Sequence, residues 1–202
     1  MKRPKKFYFL LCVFGLFGVV PVFGQITGDT YASAKTSKSA TLILTHSNAP
    51  GFAAKEGSIT SGITFDILDK FTEYVEESKG ITITYEYQTK DANNFTRFLE
   101  DVKNSSGGVF GLSNTTITSE RKKAYSFSPP YITNIGMILS HNSVPTLSNI
   151  SNVSAKFTGM TAVTVKNSTN EKRILDIKKN HYPGLKIEYV NSFSEVMDII
   201  ST

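Results

Sequence analysis

The chain has 202 residues, of which 22 are basic and 17 acidic, and its formal net charge is +5. Four of the basic residues lie within the first six positions, so residues 25–202 hold 18 basic against 17 acidic residues, a net charge of about +1. This balance, together with the lack of a basic stripe interleaved with aromatic residues, argues against nucleic-acid binding. Because Cys12 is the only cysteine, the chain beyond residue 24 can form neither a disulfide nor a cysteine-based zinc site.

The first 24 residues have the pattern of a secretory signal peptide. A basic start precedes an apolar run of 14 residues at positions 7–20, shorter than the roughly 20 that cross a membrane. We expect cleavage after the small residue Gly24, and the alternative is an uncleaved N-terminal anchor. Cys12 follows Leu11, where lipid attachment would need a small residue, so a lipid anchor is disfavoured.

The remaining chain predicts an α/β fold. Residues 25–39 are polar and without apolar period, so they are interpreted as a linker. From residue 40, short apolar or alternating runs predict strands, and apolar residues at helical spacing predict helices. The predicted strands are 41–46, 81–87, 109–112, 127–131, 136–140, 161–165 and 186–190, and the predicted helices are 65–77, 94–103, 170–180 and 192–201. Residues 144–154 are interpreted as a loop or the start of a second lobe. This alternation favours open, largely parallel sheets with flanking helices, in which ligands bind at the carboxyl ends of the strands.

The segment T-I-T-S-E-R at residues 116–121 is the strongest indication of a binding site. It places hydroxyls, a turn and one arginine before the aromatic segment F-S-P-P-Y at residues 127–131. Arginine can hold a carboxylate through two parallel hydrogen bonds. Thr116 lies five residues before Arg121, close enough to reach the same anion.

Two further motifs accompany this segment: G-I-T-F-D-I-L at residues 62–68 and V-T-V-K-N-S-T at residues 163–169. In their order along the chain, the four motifs resemble those of the family 3 extracellular solute-binding proteins, which deliver polar amino acids to ABC importers. The resemblance extends over residues 40–202. It implies a two-lobe, type 2 periplasmic-binding fold, with lobe 1 at residues 40–135 and a hinge strand and partial lobe 2 at residues 136–202.

The resemblance also implies how a ligand's carboxylate and amine are held. Arg121 would take the α-carboxylate in a bidentate grip that Thr116 shares. Asn114 matches a position whose backbone carbonyl commonly accepts from the ligand's amine. Its side chain is larger than the Gly or Ser usual there. Thr169 would close over the carboxylate from the second lobe, and Ser168 replaces the usual glycine in that turn. The helix that follows would favour an anion at its N-terminus.

Two residues are candidates for contacting the ligand's side chain. Phe95 matches an aromatic or apolar wall, although its helical spacing is equally typical of a core residue. His46 stands near a position where many relatives carry an acidic or polar residue. Glu120 is interpreted as solvent-exposed or as a turn partner.

The expected function is that of a monomeric periplasmic receptor that closes about its hinge on an amino acid or similar small carboxylate and docks on an ABC permease. No catalytic residue and no cofactor is expected, and the three widely spaced histidines predict no metal site. The sequence ends before the segment in which the resemblance implies an aspartate for the ligand's ammonium, which indicates a fragment or an incomplete second lobe. The alternatives are a sensory or truncated module without a transport role, and a dehydratase-type enzyme for which His46 is the only candidate acid.

Overall fold

The computed structural model of the chain describes residues 25–133 and 136–201. The predicted signal peptide, residues 1–24, lies outside these residues. The helices are α1 (Tyr31–Ser37), α2 (Ile63–Lys79), α3 (Phe95–Lys103), α4 (Val153–Lys156), α5 (Thr169–Asn180) and α6 (Phe193–Ser201). The strands are β1 (Ser39–His46), β2 (Ala54–Glu56), β3 (Ile59–Ser61), β4 (Thr82–Tyr87), β5 (Val109–Leu112), β6 (Thr161–Val165) and β7 (Lys186–Val190), with 3₁₀ turns at Arg121–Lys123 and Ile150–Asn152. None of the described helices is both long and apolar enough to span a membrane.

The first sheet consists of three parallel strands in the order β4-β1-β5. Its central strand β1 is almost continuously buried, as expected for a parallel strand with neighbours on both sides. Leu44 has no exposed surface and packs in a cluster with Phe65 and Leu68 of α2 and Leu112 of β5. Because the three strands are parallel, their carboxyl ends meet at one edge of the sheet.

The second sheet pairs β6 and β7 in parallel, in register from Thr161 with Lys186 to Val165 with Val190. Its core is shared with helix α3 of the first sheet, since Phe95 and Phe98 cluster with Val165 and Val190. The main-chain N–H of Phe95 also donates to the carbonyl of Asn191, at 3.0 Å. The prediction of α/β layers with parallel sheets and flanking helices is therefore confirmed.

Capping residues explain where the helices beside this shared core begin. Asn94 accepts from the N–H of Arg97 at the start of α3. At α6 Ser192 acts as the N-cap, as predicted: it accepts from the N–H of Glu195, whose carboxylate accepts in turn from the Ser192 hydroxyl and from the N–H of the preceding residue, Asn191. Five strands and four helices predicted from residue 40 onward are confirmed, with ends that agree to within about two residues.

The interpretation of residues 25–39 as a structureless linker is wrong in its secondary structure. Thr27 forms a bridge with Ser106, and residues 31–37 form helix α1, capped by Thr30. The only buried residue of α1 is Ala34, which packs against Ala40 and Ile81. A seven-residue helix with one small buried side chain produces no apolar period in the sequence.

The strands predicted at residues 127–131 and 136–140 are also wrong, because neither segment is hydrogen-bonded as a strand. Pro129 and Pro130 have no N–H group with which to join a ladder. Two residues before the first segment, the hydroxyl of Tyr125 donates to the carbonyl of Leu99 at 3.2 Å and holds the chain there. In the second segment Met137 is 80% exposed, and the hinge assignment stays a prediction.

The buried position of β1 predicts a large effect of truncating Leu44. We expect Leu44→Ala to lower the free energy of unfolding by about 2–5 kcal/mol, because it opens a cavity beneath α2. Urea denaturation of the chain measures this change. Ile59→Ala is the control, since Ile59 lies on β3 and is 71% exposed, and its effect should stay below about 0.5 kcal/mol. Equal losses in both variants would contradict the core assignment.

Candidate ligand-binding site

The candidate site lies at the carboxyl edge of the first sheet, where it meets the N-terminus of α5. The segment that follows β5 passes along this edge and ends in the 3₁₀ turn Arg121–Lys123. The N–H of Arg121 donates to the Thr118 hydroxyl at 3.1 Å, which fixes the start of that turn. Motif residues from the two sheets thus come together, although they are up to 53 positions apart in sequence.

The guanidinium of Arg121 connects the two sheets. Its Nη1 donates to the carbonyl of Thr116 and its Nη2 to the carbonyl of Asn167, both at 3.0 Å. Its Cζ lies 5.5 Å from the centre of the Phe95 ring, within range of a cation–π contact. Burial lowers the pKa of Arg121, while Tyr125 and Glu120 act in the opposite direction, and arginine stays protonated in proteins.

No carboxylate among the described residues forms an ion pair with Arg121. A half-buried cation that is satisfied only by neutral carbonyl oxygens is a favourable position for an anion. Two hydroxyls stand at the same junction, since Thr116 Oγ1 and Thr169 Oγ1 are 3.3 Å apart. Thr169 is the first residue of the twelve-residue helix α5, whose N-terminus adds partial positive charge.

Ser168 and Asn167 shape the turn before α5. Ser168 is buried and caps the helix by accepting from the N–H of Glu171, so its hydroxyl is used within the turn. Asn167 adopts a left-handed conformation with φ of 61°, and its side chain donates to the Thr96 hydroxyl at 3.1 Å. Sequence reasoning missed Asn167. The available signal was an asparagine, a residue that tolerates this conformation, directly before a helix cap.

Phe95 is a core residue, as one of the two sequence interpretations expects, and its role as a wall for a ligand's side chain stays a prediction. It is 2% exposed, stacks on Phe98 with ring centres 6.0 Å apart, and meets the edge of Phe193 at 5.7 Å. The same ring lies beside the guanidinium of Arg121. It is a core residue that also forms the base of the arginine site. Glu120, in contrast, is exposed and accepts a turn bond through its carbonyl from the N–H of Lys123.

Buried polar atoms without a protein partner are concentrated at the ends of β1 and β5. Most buried polar groups in proteins are hydrogen-bonded, so such a concentration requires an explanation. Asn114 belongs to this set through its side-chain oxygen. The atoms at these two strand ends are Ser47 Oγ, Ser113 Oγ, Asn114 Oδ1 and Thr115 Oγ1, next to the side chains of His46 and Asn48, which interact with each other. They give the sheet edge both donors and acceptors for a polar ligand.

His46 is held at the end of β1 by Thr89. Its main-chain N–H donates to the Thr89 hydroxyl at 3.0 Å, and its Nδ1 lies 2.7 Å from the same oxygen. If the Thr89 hydroxyl donates to Nδ1, the ring proton is on Nε2. Burial lowers the pKa of His46, the charge of Lys55 lowers it further, and a side-chain hydrogen bond with Asn48 acts in the opposite direction. His46 and Lys55 line a cavity of about 280 Å³ together with Gly57, Tyr87, Thr89 and Ala92.

The structure of the chain is similar to solved amino-acid-binding proteins. An ancestral amino acid-binding protein described as a precursor of cyclohexadienyl dehydratase is 18% identical, with a TM-score of 0.58 over 80% of this chain. An amino acid ABC transporter substrate-binding protein from Streptococcus pneumoniae, bound to L-arginine, is 15% identical, with a TM-score of 0.56 over 84% of this chain. A solute receptor for L-cysteine of Neisseria gonorrhoeae is 17% identical, with a TM-score of 0.54 over 85% of this chain. The chain has the type 2 periplasmic-binding fold.

The similarity extends over part of these proteins. The chain spans 66%, 65% and 63% of their lengths, respectively. It matches no family model and no curated protein. At these identities the comparisons establish the fold of the chain, whereas the roles of individual residues rest on the geometry described above.

The lowered pKa of His46 predicts a pH-dependent stability. The unfolded chain takes up a proton near pH 6.5, before the folded chain does, so this contribution to stability is fully present above that pH. As the pH falls further, the free energy of unfolding should decrease, by at most about 1.4 kcal/mol per pH unit from this group, until the folded-state pKa is reached. Urea denaturation between pH 5 and pH 8 measures the slope.

The variant His46→Asn keeps an acceptor near Thr89 but cannot titrate, so its stability should fall less steeply below pH 6.5. His181→Asn is the matched control because His181 is exposed. A slope that is unchanged in His46→Asn would show that His46 is not held neutral by the fold.

Proposed function

We propose that the chain is a receptor that binds an amino acid or a similar small carboxylate for an ABC importer, without chemical conversion of the ligand. One observation carries this proposal. The half-buried guanidinium of Arg121 lies between the two sheets, with only carbonyl oxygens as hydrogen-bond partners in the described structure. The adjoining hydroxyls of Thr116 and Thr169 are further donors for an anion.

The ligand's carboxylate would be held by donors from both sheets. Arginine has five N–H donors, and Arg121 uses one on each terminal nitrogen for Thr116 and Asn167. The remaining N–H groups can hold a carboxylate in a bidentate arrangement. Thr116 and Thr169 would donate from opposite sides. Because both sheets contribute donors, a bound carboxylate would stabilise the arrangement in which the two sheets are in contact. This arrangement would be the closed state of a hinge motion.

The ligand's ammonium group requires acceptors. Asn114 Oδ1, Ser113 Oγ and Thr115 Oγ1 are buried oxygen atoms at the same sheet edge that have no partner in the described structure. An ammonium bound there would satisfy them and would stand on the side of the first sheet. Phe95 supplies the apolar base beside Arg121. The site as a whole suits a zwitterion.

The similar solved structures support the transport role in general terms, because those bound to ligands or described as receptors take amino acids such as L-arginine and L-cysteine. In this proposal the chain acts as a periplasmic monomer after export and docks on a permease in the inner membrane. An enzymatic role is not proposed. His46, the candidate acid, has a lowered pKa and is held neutral near pH 7, so it is poorly suited to donate a proton.

Thermal denaturation in the presence of single amino acids tests the proposal. A ligand that binds only the native state raises stability by about 2.7 kcal/mol at 100 times its Kd, which corresponds to several degrees in Tm. We expect such a rise for at least one class of amino acids, and we expect it to disappear in Arg121→Ala.

Two further variants make this test specific. Arg121→Lys keeps the charge but loses the bidentate geometry, so it should bind the ligand more weakly than the native chain. Lys122→Ala removes an exposed charge from the same turn and should leave the Tm rise unchanged. A cooperative transition of the native chain that no amino acid shifts would overturn the proposal.

A further inference from the structure

The cavity beside His46 lies outside the carboxylate site but at the same edge of the first sheet. It measures about 280 Å³ and is bounded by the ends of β1 and β4, the β2–β3 hairpin and residue Ala92. Ala92 is three residues before Phe95, whose ring lies beside Arg121, so the Cα atoms of Ala92 and Phe95 are at most about 10 Å apart.

The charged and polar groups that line the cavity are mainly donors. Lys55 brings a full positive charge, and its ammonium donates to the carbonyl of Gly57 and lies 5.1 Å from the centre of the Tyr87 ring. No carboxylate of the described residues forms an ion pair with Lys55. Burial is the main cause that raises the pKa of Tyr87, and the negative charge of Asp69 on α2 is the second. Asp69 is not among the residues that line the cavity.

His46 completes the donor set. The residue is 4% exposed and lines the cavity, with its Nδ1 engaged with Thr89 and its side chain also hydrogen-bonded to Asn48. A cationic side chain would meet the Lys55 ammonium without a compensating carboxylate, whereas an anionic one would pair with Lys55.

We propose that the cavity lined by Lys55, His46 and Tyr87 selects amino acids with a negatively charged side chain. The inference rests on the proposed function, since Arg121 must hold the α-carboxylate while the cavity receives the second acidic group. The receptor therefore prefers an acidic amino acid to its amide and excludes a basic one.

Isothermal titration of the full chain with L-glutamate, L-glutamine and L-arginine tests this preference. We expect glutamate to bind at least about tenfold more tightly than glutamine, because a hydrogen bond to a charged group is stronger than one between neutral groups. Arginine should not bind measurably. In Lys55→Gln the glutamate affinity should fall about tenfold or more, whereas the glutamine affinity should change less than about threefold.

Two control variants distinguish the effect of the Lys55 charge from a general effect of the substitution on the structure. Lys55→Arg keeps the positive charge and should retain the preference for glutamate over glutamine. Lys79→Gln removes an exposed lysine at the end of α2 and should leave all affinities unchanged.

The outcomes distinguish the two proposals. If glutamine or arginine binds more tightly than glutamate, or if Lys55→Gln weakens glutamate and glutamine equally, the selectivity inference is overturned while the receptor function stands. If none of the three compounds binds and the wider set of amino acids also leaves the Tm unchanged, the receptor function is overturned and the selectivity inference with it.

Discussion

The positive charge of Arg121 is the constraint on which the arrangement of the two sheets depends. A cation withdrawn from water is costly unless hydrogen bonds or an opposite charge compensate for it. Here the compensation comes from two main-chain carbonyls, one after β5 and one before α5, and from the face of the Phe95 ring. The guanidinium is therefore satisfied only while the second sheet stays against the first. The same property favours an anion at this position, because a carboxylate would offer two charged acceptors where the protein offers neutral ones.

The contact between the sheets combines a small aromatic core with polar contacts that a ligand can supplement. Phe95 and Phe98 of α3 pack against Val165 and Val190, while Asn167 donates to Thr96 across the same junction. Separation of the sheets would expose the aromatic cluster and release Arg121 from the carbonyl of Asn167. Because both kinds of contact break together, the closed arrangement behaves as a unit, and a ligand that adds contacts on both sides shifts the equilibrium toward it.

The sequence predicts the regular elements well because each has a strong local signal. Strand β1 contains the apolar run 42–44, α3 has apolar residues at helical spacing, and Ser192 followed three residues later by Glu195 marks the start of α6. The failures occur where the apolar pattern is weak or where proline overrides the pattern. Helix α1 buries one alanine, and the prolines at 129 and 130 prevent a strand that the aromatic pattern alone favours.

The residues of the candidate site also differ in whether a short sequence motif indicates them. Arg121 and Thr116 could be predicted because one short motif contains both, and Thr169 because a second motif contains it. Asn167 contributes a carbonyl to an arginine 46 positions away, and Lys55 enters the cavity from a strand of three residues, too short for any periodicity. The residue type does not indicate which main-chain carbonyls accept a hydrogen bond from a distant side chain. The motifs therefore indicate the candidate carboxylate site, whereas the cavity beside His46 is lined by residues that only the fold brings together. In this molecule the cavity is lined from the ends of β1 and β4, the segment after β4 and the β2–β3 hairpin, and none of its lining residues comes from the second sheet.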